Sequence, residues 1–342
     1  MKVGLLTGGG DCAGLNSLIR AAVKRIEEYG WEAVGIRYGW RGLLDNDMVD
    51  LSYESVSEKI GVGGTILKTS RTNPIKLKDG AETVIRNFNR AGLYALLAIG
   101  GDDTLGVASA LYRMGLKVVG APKTIDNDLS ATDITFGFDS AVNEAMHALD
   151  NLKTTGESHD RVMVAEVMGR EAGWIAAHAG IAAGAHIVLV PEEPFSVSDV
   201  ISSVKARHNR NLPSTLIVVA EGARLKDTGK SFSKEGRIDA FEHPELGGIG
   251  QFLANEITRE TGYETRAVTL GHTIRGGTPT AFDRYLATRF GLAAVDLIKE
   301  GKFGMMVAIH GTEIKSVKLE DAVCSKKFID RTMLGVLKAL SY

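Results

Sequence analysis

Short apolar runs recur along the chain between longer stretches in which polar and apolar residues mix. Residues 2–6, 93–99, 117–121, 162–167, 187–190, 215–219, 266–270 and 305–309 read as strands, and residues 15–29 and 104–114 read as helices. Strands that alternate with helical segments predict parallel sheets with helices on both faces, an α/β fold. Ligands of such sheets bind beyond the carboxyl ends of the strands, so the loops that leave them are the places to look for chemistry. Residues 224–246 are polar and glycine-containing and predict a mobile insertion.

Two of those loops carry unusual residues. Gly100-Gly101-Asp102-Asp103 is predicted as a strand-to-helix turn, which presents backbone N–H groups and binds phosphate. The Asp102 carboxylate is poorly placed to touch phosphate itself, since like charges at ~4 Å repel by about 4 kcal/mol at an effective dielectric of 20. It makes sense as a magnesium ligand, direct or through water. After the run 117–121 comes Pro122-Lys123-Thr124-Ile125-Asp126-Asn127-Asp128, in which Asp126 and Asp128 are suited to be a proton acceptor and its orienting neighbour. Asp-Asn-Asp after a proline is also ordinary turn chemistry.

A chain of 342 residues exceeds one ordinary core, so two domains are expected. A net charge of −2, from 40 basic and 42 acidic residues, gives no global attraction to nucleic acid. Cys12 and Cys324 make no disulfide framework, and a reducing compartment is the simpler reading; Cys12 lacks a basic neighbour in sequence and reads as packing. No apolar run reaches the roughly 18 residues of a membrane span, and the chain opens on a strand, so a cytoplasmic protein is expected.

Gly-Gly-Asp near residue 100 followed by Thr-Ile-Asp-Asn-Asp resembles the phosphofructokinase family. The resemblance spans nearly the whole chain. Leu6-Thr7-Gly8-Gly9-Gly10-Asp11 is similar to the family's first phosphate loop. Glu166-Val167-Met168-Gly169-Arg170, Ala220-Glu221-Gly222, Glu264-Thr265-Arg266 and Gly271-His272-Thr273-Ile274-Arg275-Gly276-Gly277 are similar to its sugar-phosphate motifs, in the same order. The resemblance implies two doubly wound, mostly parallel α/β domains with the active site in the cleft between them. A phosphoryl-donor domain would take 1–138 plus about 279–327, and a sugar-phosphate domain 139–278 plus 328–342.

It also implies a reaction, phosphoryl transfer to the 1-hydroxyl of fructose 6-phosphate. Asp126 would be the base, Thr124 and Arg170 would hold the phosphoryl group in flight, and Asp102 would hold Mg2+. Gly10 and Asp128 would be among the substrate-binding residues; Met168, Gly169 and Glu221 would bind the sugar; Arg161, Arg266, His272 and Arg275 would clamp its phosphate. Arg161 and Arg266 would enter from a neighbouring subunit, which implies a homo-oligomer, dimer or tetramer. Trp40 lies where the family places an aromatic near the nucleotide, though core packing accounts for it nearly as well.

Asp103 and Lys123 bear on the donor. ATP-using members commonly carry glycine at both positions, and filling both resembles the branch that uses diphosphate. A carboxylate at Asp103 opposes a third phosphate, and the Lys123 ammonium attracts a short donor. An ATP-dependent enzyme is the alternative, and a non-catalytic sugar-phosphate sensor the second. Retention of Asp102, Asp126 and Arg170 disfavours the sensor. His186 and Lys153 stand where regulated relatives carry other residues, which argues against an adenine-nucleotide or phosphoenolpyruvate effector site. A nicotinamide enzyme is disfavoured because Gly8-Gly9-Gly10-Asp11 lacks the dinucleotide spacing.

Overall fold

Apolar side chains on successive residues force a strand to be covered on both faces, and the chain folds accordingly. The computed structural model describes residues 1–227, 229, 232–238 and 244–340. Its strands are β1 (Lys2–Thr7), β2 (Glu32–Ile36), β3 (Met48–Leu51), β4 (Leu93–Gly100), β5 (Val118–Pro122), β6 (Val162–Val167), β7 (Ile187–Leu189), β8 (Thr215–Ala220), β9 (Ser233–Ile238), β10 (Pro244–Leu246), β11 (Thr265–Thr269), β12 (Met305–His310) and β13 (Glu313–Lys318). Every apolar run read from the sequence as a strand is one, within a residue or two at each end.

A seven-stranded sheet has the order β13-β12-β5-β4-β1-β2-β3, with β12, β5, β4, β1 and β2 parallel and β3 and β13 antiparallel at its two edges. Leu6, Ile36, Trp40, Leu96, Leu105 and Leu111 belong to the core on one face of it. A four-stranded parallel sheet has the order β11-β6-β8-β7, and Val162, Val164, Ile217, Val219, Leu253 and Ile257 are buried beside it. The chain divides into two compact units, Met1–Ser140 with Arg275–Lys326 around the first sheet, and Ala141–Ile274 with Lys327–Tyr342 around the second.

Three differences from the sequence reading have physical causes. The edge strand β13 is polar and mostly exposed, with Lys315 and Lys318 along it, the composition that keeps an edge from pairing with another chain. Such a strand gives no apolar signal. The helix expected from residue 104 runs over Asp102–Arg113, with Asp102 and Asp103 in its first turn, where carboxylates meet the positive end of the helix dipole. Charge placement of that kind is invisible to hydrophobic spacing. Of the stretch 224–246 expected to be a mobile insertion, residues 228, 230, 231 and 239–243 lie outside the described residues, while β9 and β10 pair antiparallel.

Candidate active site

β1, β4 and β5 are neighbours in the sheet and parallel, so the three glycine- or proline-containing turns that follow them meet at the carboxyl ends of the strands. Backbone hydrogen bonds carry the strand register into the turns: Gly8 N donates to Ile99 O at 3.0 Å and Lys123 N to Gly100 O at 2.9 Å. Thr104 wedges between the first two turns. A Cβ on Gly8 would lie 2.5 Å from Thr104 Oγ1, and one on Gly100 would lie 2.3 Å from Thr104 Cβ. Thr104 closes the sequence motif that begins at Gly100, but its role in making both glycines necessary shows only in the fold. Trp40 is buried in the core, its indole N–H donating to Thr104 O at 3.3 Å, so packing accounts for it.

Replacing Gly100 by Ala is expected to cost about 1–3 kcal/mol by overpacking and to reduce activity by displacing Asp102 and Asp103. Gly101→Ala is the control, because its Cβ would meet Lys123 O at an ordinary 3.5 Å. Denaturant unfolding of both variants checks this; equal stabilities would contradict the wedge.

The third turn closes on the first. Lys123 is only 3% exposed and its amine donates to Gly10 O. Burial holds its pKa below the ordinary lysine value. Arg275 lies against the same loop, its Nη1 donating to Asp11 O at 3.3 Å, and a Cβ on Gly10 would come within 2.5 Å of that nitrogen. Two cations thus flank the first turn. They also face Cys12, which has basic neighbours in space that it lacks in sequence; burial outweighs them and pushes the thiol up to about 12, leaving it inert.

Asn127 supplies the turn chemistry of Asp-Asn-Asp: it has φ 51° and its Oδ1 accepts from Thr135 N at 3.1 Å. The flanking carboxylates are left for other work. Asp126 is 6% exposed; its N–H donates to Thr124 Oγ1 at 3.1 Å, and Thr124 Oγ1 donates to Asp126 Oδ2 at 3.4 Å. Asp126 Oδ1 is buried and has no hydrogen-bond partner. Unsatisfied buried acceptors are rare in folded proteins, and one at a cluster of turns is a place for a ligand's proton. Burial first, then the Asp126 charge, raises the Asp128 pKa to about 7, with Asp102 adding to the shift and Lys326 opposing it.

Among the described residues no three His, Cys, Asp or Glu side chains form a metal cage. Magnesium is commonly held by one or two carboxylates together with substrate phosphates. Asp102, in the first turn of its helix and close enough to Asp128 for its charge to be felt there, fits such a role.

In the second unit, Glu221 Oε1 accepts from Gly169 N at 3.3 Å and Arg170 N at 3.0 Å, which holds the turn Met168–Arg170 with Arg170 at φ 52°. Glu166 is a buried helix anchor, accepting from Gly250 N at 2.8 Å and Gly248 N at 3.0 Å. Arg161 and Arg266 converge on Glu264 Oε1, at 2.8 and 2.6 Å, and the Arg161 hydrogen bond is the main cause of a lowered Glu264 pKa. The pairing follows from the parallel register, in which Thr265 sits beside Val162. That register was the signal that could have exposed Glu264. His272 is exposed on the turn Gly271–Arg275. His186 is neutral: burial first, then the Arg207 and Lys153 charges, pushes it down to about 4, and its Nδ1 accepts from Leu216 N at 2.8 Å.

A cavity of about 440 Å³ opens at the amino-terminal ends of β5 and β12, lined by Tyr112, Lys117, Lys302 and Phe303 among others. Helices Asp102–Arg113 and Ala281–Lys299 end near it. Helix C-termini carry partial negative charge, so the lysines there complement the helices and the place is unsuited to phosphate.

Comparison with known proteins fits the geometry. The phosphofructokinase family model matches residues 2–298. A pyrophosphate–fructose 6-phosphate 1-phosphotransferase of Amycolatopsis methanolica is 56% identical over 330 residues, 96% of each chain. ATP-dependent 6-phosphofructokinase 3 of Streptomyces coelicolor is 48% identical over 330 residues, again 96% of each. The crystal structure of a pyrophosphate-dependent phosphofructokinase from Marinobacter aquaeolei superposes with a TM-score of 0.82 at 23% identity, covering 99% of this chain and 91% of that one. With the family pattern matched over most of its length and relatives this similar, the chain belongs to the phosphofructokinase family.

Proposed function

We propose that the chain is a diphosphate-dependent phosphofructokinase, transferring a phosphoryl group reversibly from diphosphate to the 1-hydroxyl of fructose 6-phosphate to give fructose 1,6-bisphosphate and phosphate. The observation that carries the chemistry is the buried, unpartnered Asp126 Oδ1 beside Thr124. The oxygen takes the proton of the 1-hydroxyl as the new O–P bond forms and the P–O–P bond of the donor breaks. Thr124, with its hydroxyl already turned to Asp126, and Arg170 steady the group in transit. A magnesium ion, when bound, neutralises charge on the donor phosphates, and Asp102 would hold it.

The first unit supplies the donor residues Gly10, Asp102, Asp103, Lys123 and Asp128, and the second supplies Arg161, Met168, Gly169, Arg170, Glu221, Arg266 and His272 for the sugar phosphate. Arg275 falls in the first unit, against the Gly10 turn, where its charge serves the phosphates at the transfer point. Arg161 and Arg266, paired on one carboxylate, form a ready fork for a doubly charged phosphate; they would serve a neighbouring subunit of a homo-oligomer. Two unpaired cysteines support a cytoplasmic setting, and no helix among the described residues is long and apolar enough to cross a membrane.

Asp103 and Lys123 support diphosphate over ATP, as do the names of relatives such as the Amycolatopsis methanolica enzyme. With fructose 6-phosphate and magnesium, kcat/KM is expected to favour diphosphate over ATP by about a hundredfold or more, ~2.8 kcal/mol of discrimination. A preference for ATP would refute the donor assignment while leaving the base in place, and inactivity with both would point to a sensor.

A further inference from the structure

A second buried carboxylate in the first unit has no role in the chemistry above. Asp283 lies in the first turn of helix Ala281–Lys299 and is fully buried. Its Oδ1 accepts from Gly137 N at 2.9 Å, and its Oδ2 accepts from Ser140 N at 2.8 Å and from Ser140 Oγ at 2.6 Å. Those amides belong to the start of helix Phe138–Ser158, whose first N–H groups need partners. Thr280 Oγ1 in turn donates to Asp139 Oδ2 at 2.5 Å, so the two helix starts clasp each other.

The clasp reaches the catalytic turns in two directions. A Cβ on Gly137 would lie 2.4 Å from Cys12 Sγ, so Gly137 rests directly on the first glycine turn. Phe136, the residue before it, bridges to Lys123 in parallel fashion. Thr135 donates its N–H to Asn127 Oδ1 at 3.1 Å and its hydroxyl to Thr124 O at 2.8 Å. The segment 135–137 therefore backs the loop of Asp126 on one side and meets Cys12 on the other.

We propose that Asp283 is a positioning residue, which fixes segment 135–137 and through it sets the Asp126 loop against the first phosphate turn. The proposal rests on the phosphoryl-transfer reading of Asp126. Stability does not explain a charge at this place. Burial raises the pKa to about 6, against hydrogen bonds from Ser140 and Gly137 and with the Asp139 charge adding; the Cys12 thiol feels the Asp283 charge in turn. A carboxyl with a raised pKa is more stable folded when protonated, and that advantage is lost as pH rises through about 6. At neutral pH the ion is thus a cost to folding, retained for what it holds.

Asp283→Asn keeps the shape, but its amide oxygen can accept at only one of the two positions, and its N–H₂ must then oppose a backbone N–H at the other. In the full-length protein, kcat per folded molecule is expected to fall about tenfold or more, with KM for fructose 6-phosphate within about twofold. Hydrogen exchange across residues 123–137 should accelerate in the same variant. Ser140→Ala, which removes only the hydroxyl donor, should give a smaller change in the same direction and stands in if Asp283→Asn fails to fold. Unchanged exchange over 123–137 overturns the proposal, as does an unchanged kcat in folded variant protein. Inactivity of the unmodified protein with both diphosphate and ATP would sink the enzymatic reading, while the exchange measurement would still decide whether Asp283 holds the loop.

Discussion

Asp126→Asn is expected to lower kcat by roughly 10²–10⁴, the usual range for a lost general base, with KM for fructose 6-phosphate within a few-fold of the unmodified enzyme. Asn preserves the side-chain volume, can still accept from Thr124 Oγ1, and leaves the Asp126 backbone N–H bonded to the same hydroxyl. What it loses is the basicity of Oδ1, the atom that the fold buries without a partner. A carboxylate left in that state has a cost of order 1–3 kcal/mol if it meets nothing, which a substrate proton would repay. Sugar-phosphate binding should be spared because most residues assigned to it, Arg161, Glu221, Arg266 and His272 among them, lie in the other unit. Steady-state kinetics together with direct titration of fructose 6-phosphate distinguish the outcomes. A variant within a few-fold of the parent kcat would remove Asp126 from the role of base and turn attention to Asp128, whose neighbour it is.

How much of this was legible in the sequence depends on the kind of interaction. The parallel strands are buried on both faces, so β1, β4, β5, β6, β8 and β12 announced themselves as apolar runs, while the exposed edge strand β13 did not. Residues that act through short-range motifs, such as Asp102 and Asp103 or Lys123 to Asp128, could be read because their spacing is local. Thr104 and Asp283 could not. One is defined by glycines at 8 and 100 that touch it from different strands, and the other by amides 143 and 146 residues away. The basic surroundings of Cys12 are of the same type, since Lys123 and Arg275 reach it only once the sheet has formed.

Exchanging the donor-side residues should have the other large effect. Asp103→Gly is expected to raise the ratio of kcat/KM for ATP to that for diphosphate by about tenfold or more, because a like charge at ~4 Å opposes a third phosphate by about 4 kcal/mol at an effective dielectric of 20. The ratio is the proper readout. Glycine inside the helix Asp102–Arg113 costs about 1 kcal/mol of helix stability, which lowers both activities together. Lys123 acts differently, since its amine donates to Gly10 O from a buried position and so holds the first turn as well as attracting the donor. Lys123→Gly should therefore cut diphosphate use by roughly 10–100-fold, the loss of one charged hydrogen bond of about 1.5–3 kcal/mol, and Lys123→Met should do nearly the same although it fills the space. If Met restored diphosphate activity, packing rather than charge would be what Lys123 contributes. The two sites lie in adjacent turns, tied by the Lys123 N to Gly100 O hydrogen bond, so the double change Asp103→Gly with Lys123→Gly should shift the donor ratio by more than either alone without being additive. A ratio that stays put in all of these variants would mean that donor choice is made elsewhere in the chain.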